Sequence, residues 1–97
     1  MTMKKKELIV TSALPYANGP LHFGHLLEHI QTDIWVRSQR ILGNHCIYLC
    51  ASDAHGTPIM MKAEEENIVP EKLVDKYMKA HKKTLEAFQV SHDCYYQ

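Results

Sequence analysis

Apolar and polar positions along this chain follow two different periods in turn. Glu7-Leu-Ile-Val-Thr-Ser-Ala13 is short, apolar and β-branched, and turn residues bound it, which predicts a strand. Its unbroken Leu-Ile-Val centre predicts burial on both faces, as in a parallel sheet. Leu14-Pro15 ends the run, because the residue before a proline avoids helical geometry. Asn18-Gly19-Pro20 supplies a turn, and Pro20 suits the first turn of the helix that follows. From about Leu21 to Leu42 the period is helical. Phe23, Leu26, Leu27, Ile30, Ile34 and Ile41 form a stripe about 100° wide that is expected to face the core, with Trp35 also buried. Gly43-Asn44 closes this helix, and His45-Cys-Ile-Tyr-Leu-Cys-Ala51 predicts the second strand.

A strand, helix and strand of these lengths predict a right-handed βαβ unit with parallel strands. Beyond it lies a polar loop, Ser52-Asp-Ala-His-Gly-Thr-Pro58, and a short helix over about Pro58–Glu66. Asn67 to Pro70 interrupts, and Glu71 to about Val90 reads as a second helix with Leu73, Tyr77, Leu85 and Phe88 turned inward. Its Lys76, Lys79, Lys82 and Lys83 predict a solvated face. Ser91-His-Asp-Cys-Tyr-Tyr-Gln97 carries no cap or terminating turn. The fold class is therefore α/β: a partial Rossmann-like nucleotide-binding fold, one βαβ unit with parallel strands plus following helices. Residues 1–97 form one domain or part of one. Two strands make an incomplete sheet, so open edges and marginal stability are expected.

Composition narrows the chemistry. Lys+Arg and Asp+Glu both total 11, so formal net charge is zero. Nucleic-acid platforms release counterions through clustered Lys/Arg, and this segment has no such excess. No run approaches the ~20 apolar residues of a membrane span. Lys4, Lys5 and Lys6 precede Glu7 and too short an apolar run for a signal peptide, and read as a solvated tail. Cys46 and Cys50 lie four positions apart on one strand, hence ~13 Å between Cα atoms, and a disulfide spans no more than ~7 Å. With Cys94 the count is odd, which predicts reduced thiols and a cytoplasmic protein.

The loops 14–20 and 52–58 both leave the carboxyl ends of parallel strands, where open α/β sheets bind ligands. His22 and His25 open the first helix, where unpaired N–H groups and the helix dipole favour anions. Imidazoles there can donate to phosphoryl oxygens, and Gly24 removes a side chain so that a planar base can approach. His29 and Asp33 continue on the same side, expected beside the apolar stripe. A shared cation is limited by distance, since His22 and Asp33 lie ~16 Å apart along the axis. Only His25 and His29 could chelate together, no third ligand is near in sequence, and no metal residues are assigned.

Leu21-His-Phe-Gly-His-Leu26 resembles the "HIGH" motif of class I aminoacyl-tRNA synthetases. The longer run Ala13-Leu-Pro-Tyr-Ala-Asn-Gly-Pro-Leu-His-Phe-Gly-His25 resembles the methionyl-tRNA synthetase family within that class. Leu27-Glu-His-Ile-Gln-Thr-Asp-Ile-Trp-Val-Arg37 and Asp53-Ala-His-Gly-Thr-Pro-Ile59 agree with it, while Phe23 stands where the family has a small aliphatic residue. The resemblance implies activation of methionine by ATP with Mg2+, and transfer to tRNA(Met). It implies that His22 and His25 contact ATP and stabilise developing charge, and that Gly24 packs beneath the adenine. Pro15, Asn18 and Gly19 would bind ATP as well. Ala13, Leu14 and Tyr16 would line the methionine pocket, and Asp53 would accept the α-ammonium group, with His55 holding that loop. The family's Lys-Met-Ser-Lys-Ser loop, its cysteine-rich zinc insertion and its anticodon-binding domain are not among these residues. The resemblance thus implies an N-terminal part of a longer catalytic domain, inactive alone, with zinc expected only downstream. Two other readings stay open at this level: another His-x-Gly-His nucleotidyltransferase that forms a small-molecule adenylate, and a small His-rich metal-binding module.

Overall fold

Crossover connections between parallel strands are right-handed, and that rule shapes this molecule. In the computed structural model, which describes residues 5–96, β1 (Glu7–Thr11), β2 (His45–Ala51) and β3 (Cys94–Tyr96) form one parallel sheet in that order. Helix α1 (Phe23–Ile41) joins the first pair. Helices α2 (Thr57–Glu65) and α3 (Pro70–Ala87) join the second. Strand order never reverses, so crossovers of one hand place their helices on one face of the sheet. The α/β class and the βαβ unit are as the pattern predicts. The addition is β3, formed within the tail that carries no cap or turn signal. A three-residue strand is too short to show a period.

One-sided cover corrects the expectation that β1 is buried on both faces. Leu8 and Val10 of β1, with Cys46 and Tyr48 of β2, pack against Leu26, Ile30 and Val36 of α1 and Leu85 of α3. Side chains alternate along a strand, so Ile9 points the other way and is 74% exposed. The strand also ends at Thr11, before Ser12 and Ala13.

Helix α1 is rotated relative to its apolar stripe. Its buried residues are His29, Asp33 and Val36, whereas Phe23, Leu27, Ile34, Trp35 and Ile41 are exposed. Of the expected stripe, only Leu26 and Ile30 reach the core. Polar partners drawn from distant segments explain the rotation. Ser12 Oγ lies 3.0 Å from His29 Nδ1. Asp33 accepts the Ser91 amide at 2.7 Å, the Ser91 hydroxyl, and Arg37 Nε at 2.8 Å. Buried polar groups are tolerated when partnered in this way. Burial works against the charge on Asp33, yet the Ser91 hydroxyl and the Arg37 guanidinium hold its carboxyl below the usual range.

The α2–α3 hairpin closes a second small core of Ala17, Ile59, Ala63, Leu73 and Met78, which fastens the loop after β1 to the helices. On α3, Leu73 and Leu85 are buried as expected and Tyr77 is half-buried. Phe88 is 54% exposed, because the helix stops at Ala87 and the chain turns away. All three helices end alike. Gly43 (φ 88), Asn67 (φ 56) and Gln89 (φ 58) adopt left-handed backbone, and the next amide bonds back to Gln39, Ala63 or Leu85 at 3.0–3.1 Å.

Candidate functional site

The two strand-end loops are fastened side by side. Ala17 N–H donates to the Asp53 carbonyl at 2.8 Å, and Asp53 N–H donates to the Pro15 carbonyl at 2.8 Å. Tyr16 and Asp53 thus form one more parallel bridge beyond the ends of β1 and β2. The Tyr16 hydroxyl reaches further and donates to the His55 carbonyl at 2.7 Å. Gly56 makes that reach possible: its φ is +118°, and a Cβ there would lie 2.8 Å from the Tyr16 hydroxyl oxygen. The Asp53 carboxylate is exposed and, among the described residues, accepts only the His55 amide, at 3.3 Å, which holds the loop in an Asx-type turn.

His22 and His25 organise the start of α1. His22 is the N-cap, and its Nδ1 accepts the amides of Gly24 at 3.1 Å and His25 at 3.4 Å. His25 Nδ1 accepts the His22 amide at 3.2 Å, so a capping box is built from two imidazoles. The rings stack with centroids 3.7 Å apart. An Nδ1 that accepts from backbone places the ring hydrogen of a neutral imidazole on Nε2. Both rings therefore present an N–H donor away from the helix, in the zone that favours anions. Burial, then the charges of His22 and His81, push the His25 pKa down, which keeps it neutral. Gly24 lies close to the ring beside it: a Cβ there would lie 3.0 Å from His22 Cε1, a tight contact that the ring would have to relieve.

His81 of α3 ties the same loops together from beneath. It is fully buried. Its Nε2 lies 2.6 Å from the Gly19 carbonyl and must donate to it. Its Nδ1 then accepts from the Ser52 hydroxyl at 2.9 Å. Ser52 Oγ in turn accepts from the Tyr95 hydroxyl, which spends its own hydrogen there. A chain of donors thus runs from β3 through the end of β2 to the loop after β1. Burial lowers the His81 pKa, with the Gly19 bond opposing.

Of the residues singled out from sequence, Tyr16, Asp53 and His55 are joined, as are His22, Gly24 and His25. Pro15 is buried, and its carbonyl belongs to the loop bridge. Ala13 is exposed and held through its amide by Glu28 Oε1 at 2.9 Å. Leu14 is 51% exposed, Asn18 is half-buried, and Gly19 reaches the rest only through His81. His25 and His29 do not form a pair: His25 Nδ1 is used in the cap, while His29 turns into the core. Sequence reasoning missed Ser52, Gly56 and His81. The signal for His81 was available, since it falls in register with Leu73, Tyr77 and Leu85 on an apolar stripe, where a titratable side chain needs partners.

Comparison with known proteins bears on the family of the chain. The family model described as "tRNA synthetases class I (M)" matches residues 8–97. The methionine–tRNA ligase of Cupriavidus pinatubonensis is 54% identical over 94 residues, covering 97% of this chain and 14% of that protein. The methionine–tRNA ligase of Wigglesworthia glossinidia brevipalpis is 54% identical over 92 residues, covering 95% of this chain and 17% of that protein. A structure of Mycobacterium tuberculosis methionyl-tRNA synthetase in complex with methionyl-adenylate superimposes with a TM-score of 0.88 at 25% identity, covering 98% of this chain and 18% of that one. The chain thus spans about one-sixth or less of the relatives it matches. Among the described residues no helix is long and apolar enough to cross a membrane. With sequence, family model and fold in agreement, the chain belongs to the methionyl family of class I tRNA synthetases.

Proposed function

We propose that this chain forms one side of the site where methionine reacts with ATP, and that the methionyl group then passes to tRNA(Met) in the whole enzyme. The observation that supports this is the fastening of loop 14–20 to Asp53, beside a helix start that presents two Nε2–H donors. A methionine carboxylate oxygen attacks the α-phosphorus, the α–β bridging P–O bond breaks, and pyrophosphate leaves with the electron pair. No residue becomes covalently attached, so positioning and charge stabilisation supply the rate.

Each residue takes a part that its placement permits. His22 and His25 donate to phosphoryl oxygens as charge builds. Gly24 leaves room above the helix start for the adenine, and Pro15, Asn18 and Gly19 run alongside the nucleotide. The exposed side of Leu14 faces a hollow of about 190 Å3 shared with Thr11, Leu49, Ala51 and Tyr96. With Ala13 and Tyr16 it offers the methionine side chain an apolar wall. Asp53 accepts the α-ammonium group in a charge-assisted hydrogen bond. Asp53 is the one carboxylate in loops 14–20 and 52–58, too few acids for a metal cage, so Mg2+ arrives on the triphosphate. Residues 1–97 then form an N-terminal part of the catalytic domain, in a cytoplasmic protein. The zinc that the family resemblance implies belongs to a downstream segment, as do most tRNA contacts.

The test is ATP–pyrophosphate exchange by a full-length methionyl-tRNA synthetase carrying this segment. Exchange should depend on methionine, and Asp53→Asn should raise the methionine KM at least tenfold. The 97-residue chain alone should give none. Exchange indifferent to methionine would point instead to another adenylate-forming reaction.

A further inference from the structure

Helix α1, strand β2 and the segment leading into β3 meet at three donor atoms. A ring nitrogen of His29, the Cys50 sulfur and a ring nitrogen of His92 all lie within 4.8 Å of one another. His29 and Cys50 are 1% and 2% exposed. Nε2 of His29 and Nε2 of His92 are both buried without a hydrogen-bond partner, which native interiors rarely leave unexplained.

Ser12 sets the tautomer of His29. The Tyr48 hydroxyl donates to Ser12 Oγ at 3.0 Å, and the Ser12 hydrogen points to Cys50 Sγ at 3.8 Å. Ser12 Oγ therefore accepts from His29 Nδ1–H at 3.0 Å. That leaves a bare lone pair on His29 Nε2. A ligating histidine is held in just this way, its second nitrogen donating to a neighbouring oxygen. The His92 ring is fixed by Tyr48, with centroids 4.4 Å apart.

We propose that His29, Cys50 and His92 bind one Zn2+ ion, the histidines through Nε2 and the cysteine as thiolate. Two imidazoles and one thiolate match the borderline-soft character of zinc. Zn–N bonds of about 2.0–2.1 Å and a Zn–S bond of about 2.3 Å put tetrahedral ligands roughly 3.5 Å apart. The present spread closes by about an ångström as the ion enters. The Cys50 S–H bond breaks, its proton goes to solvent, and the sulfur keeps the electron pair for the metal. Water takes the fourth position. The ion staples α1 to β2 and to the chain entering β3, three segments of a small sheet whose other face is open. Its ligands are not those of the cysteine-rich insertion that the family resemblance places beyond residue 97.

The purified chain, stripped by a chelator, is titrated with Co2+ and then with Zn2+. One equivalent of Co2+ should produce a thiolate-to-cobalt charge-transfer band and the intense visible bands of tetrahedral cobalt. Zn2+ should displace it and raise the melting temperature. Cys50→Ser should abolish the charge-transfer band, while Cys46→Ser and Cys94→Ser keep it. His92→Phe retains an aromatic ring beside Tyr48 and should weaken binding at least tenfold. It decides the matter should Cys50→Ser fail to fold. A missing charge-transfer band in the parent chain, a band that survives Cys50→Ser, or unchanged affinity in His92→Phe would overturn the site.

Discussion

His22 and His25 lie face to face, with ring planes 16° from parallel and each Nδ1 holding a backbone amide of the same helix start. One side of each ring serves the fold and the other is free for a ligand. The capping of the helix by His22 and the chemistry proposed for it can be separated by substitution. Asparagine is a strong N-cap, and its Oδ1 can accept the Gly24 amide, but it offers no donor where Nε2 stands. His22→Asn should leave stability within about 0.5 kcal/mol, whereas His22→Ala should lose about 1 kcal/mol with the cap. In a full-length synthetase carrying the segment, both should reduce exchange about 100-fold or more, the cost of a donor aimed at developing charge. Urea unfolding beside exchange kinetics checks this. Full activity in His22→Asn would remove the imidazole from the proposed chemistry.

Gly56 and Tyr16 are coupled through a close approach. Gly56→Ala puts a Cβ against the Tyr16 hydroxyl and forces an L residue to φ +118°. A loss of about 2–4 kcal/mol is expected from the backbone and the clash together. Tyr16→Phe removes the oxygen in the way, along with the bond to the His55 carbonyl. A double-mutant cycle should therefore show Gly56→Ala costing about 1 kcal/mol less in the phenylalanine background. Additive losses would mean that the hydroxyl is not what the glycine accommodates.

How far the sequence foretells this molecule depends on where each residue's partners lie. β2 and the long run of α1 follow from local period, and the loops at 14–20 and 52–58 follow from the strands that they leave. The side of α1 that is buried does not, because Ser12 and Ser91 lie 17 and 58 positions from the residues that they hold. Ile9 misleads for a related reason. Its exposure depends on both crossovers sharing a face, a property of strand order that no window around Leu8 to Val10 contains. In the site, Asp53 and the histidine pair were readable as loop chemistry. Their fastening was not, since it runs through main-chain bonds of Pro15 and Ala17 and through a histidine far along α3.

That histidine gives a pH dependence with a definite sign. Burial lowers the pKa of His81 in the folded chain, while the unfolded value stays near the usual ~6.5. Below that value the unfolded chain takes up a proton that the folded one refuses. Stability should thus be flat in this group above pH ~6.5 and fall below it, by up to about 1.4 kcal/mol per pH unit. His81→Gln keeps a donor where Nε2 meets the Gly19 carbonyl and cannot titrate. Urea midpoints followed from pH 8 to 5 should fall less steeply in this variant than in the parent. Equal slopes would show that the acid sensitivity lies in other groups.

Gln89 is the last place where local chemistry and fold disagree. It follows α3 in left-handed backbone at φ 58, where α1 uses Gly43 for the same step. A side chain with a Cβ is strained there by about 1–2 kcal/mol, and glycine is not. Gln89→Gly also loosens the unfolded chain, which returns part of the gain. The Gln89 carbonyl that accepts Arg37 at 2.6 Å is main chain and survives the change. A net stabilisation of about 0.5–1 kcal/mol is expected, read as a higher urea midpoint with an unchanged slope. A neutral or lower midpoint would mean that the Gln89 side chain makes contacts outweighing its backbone strain.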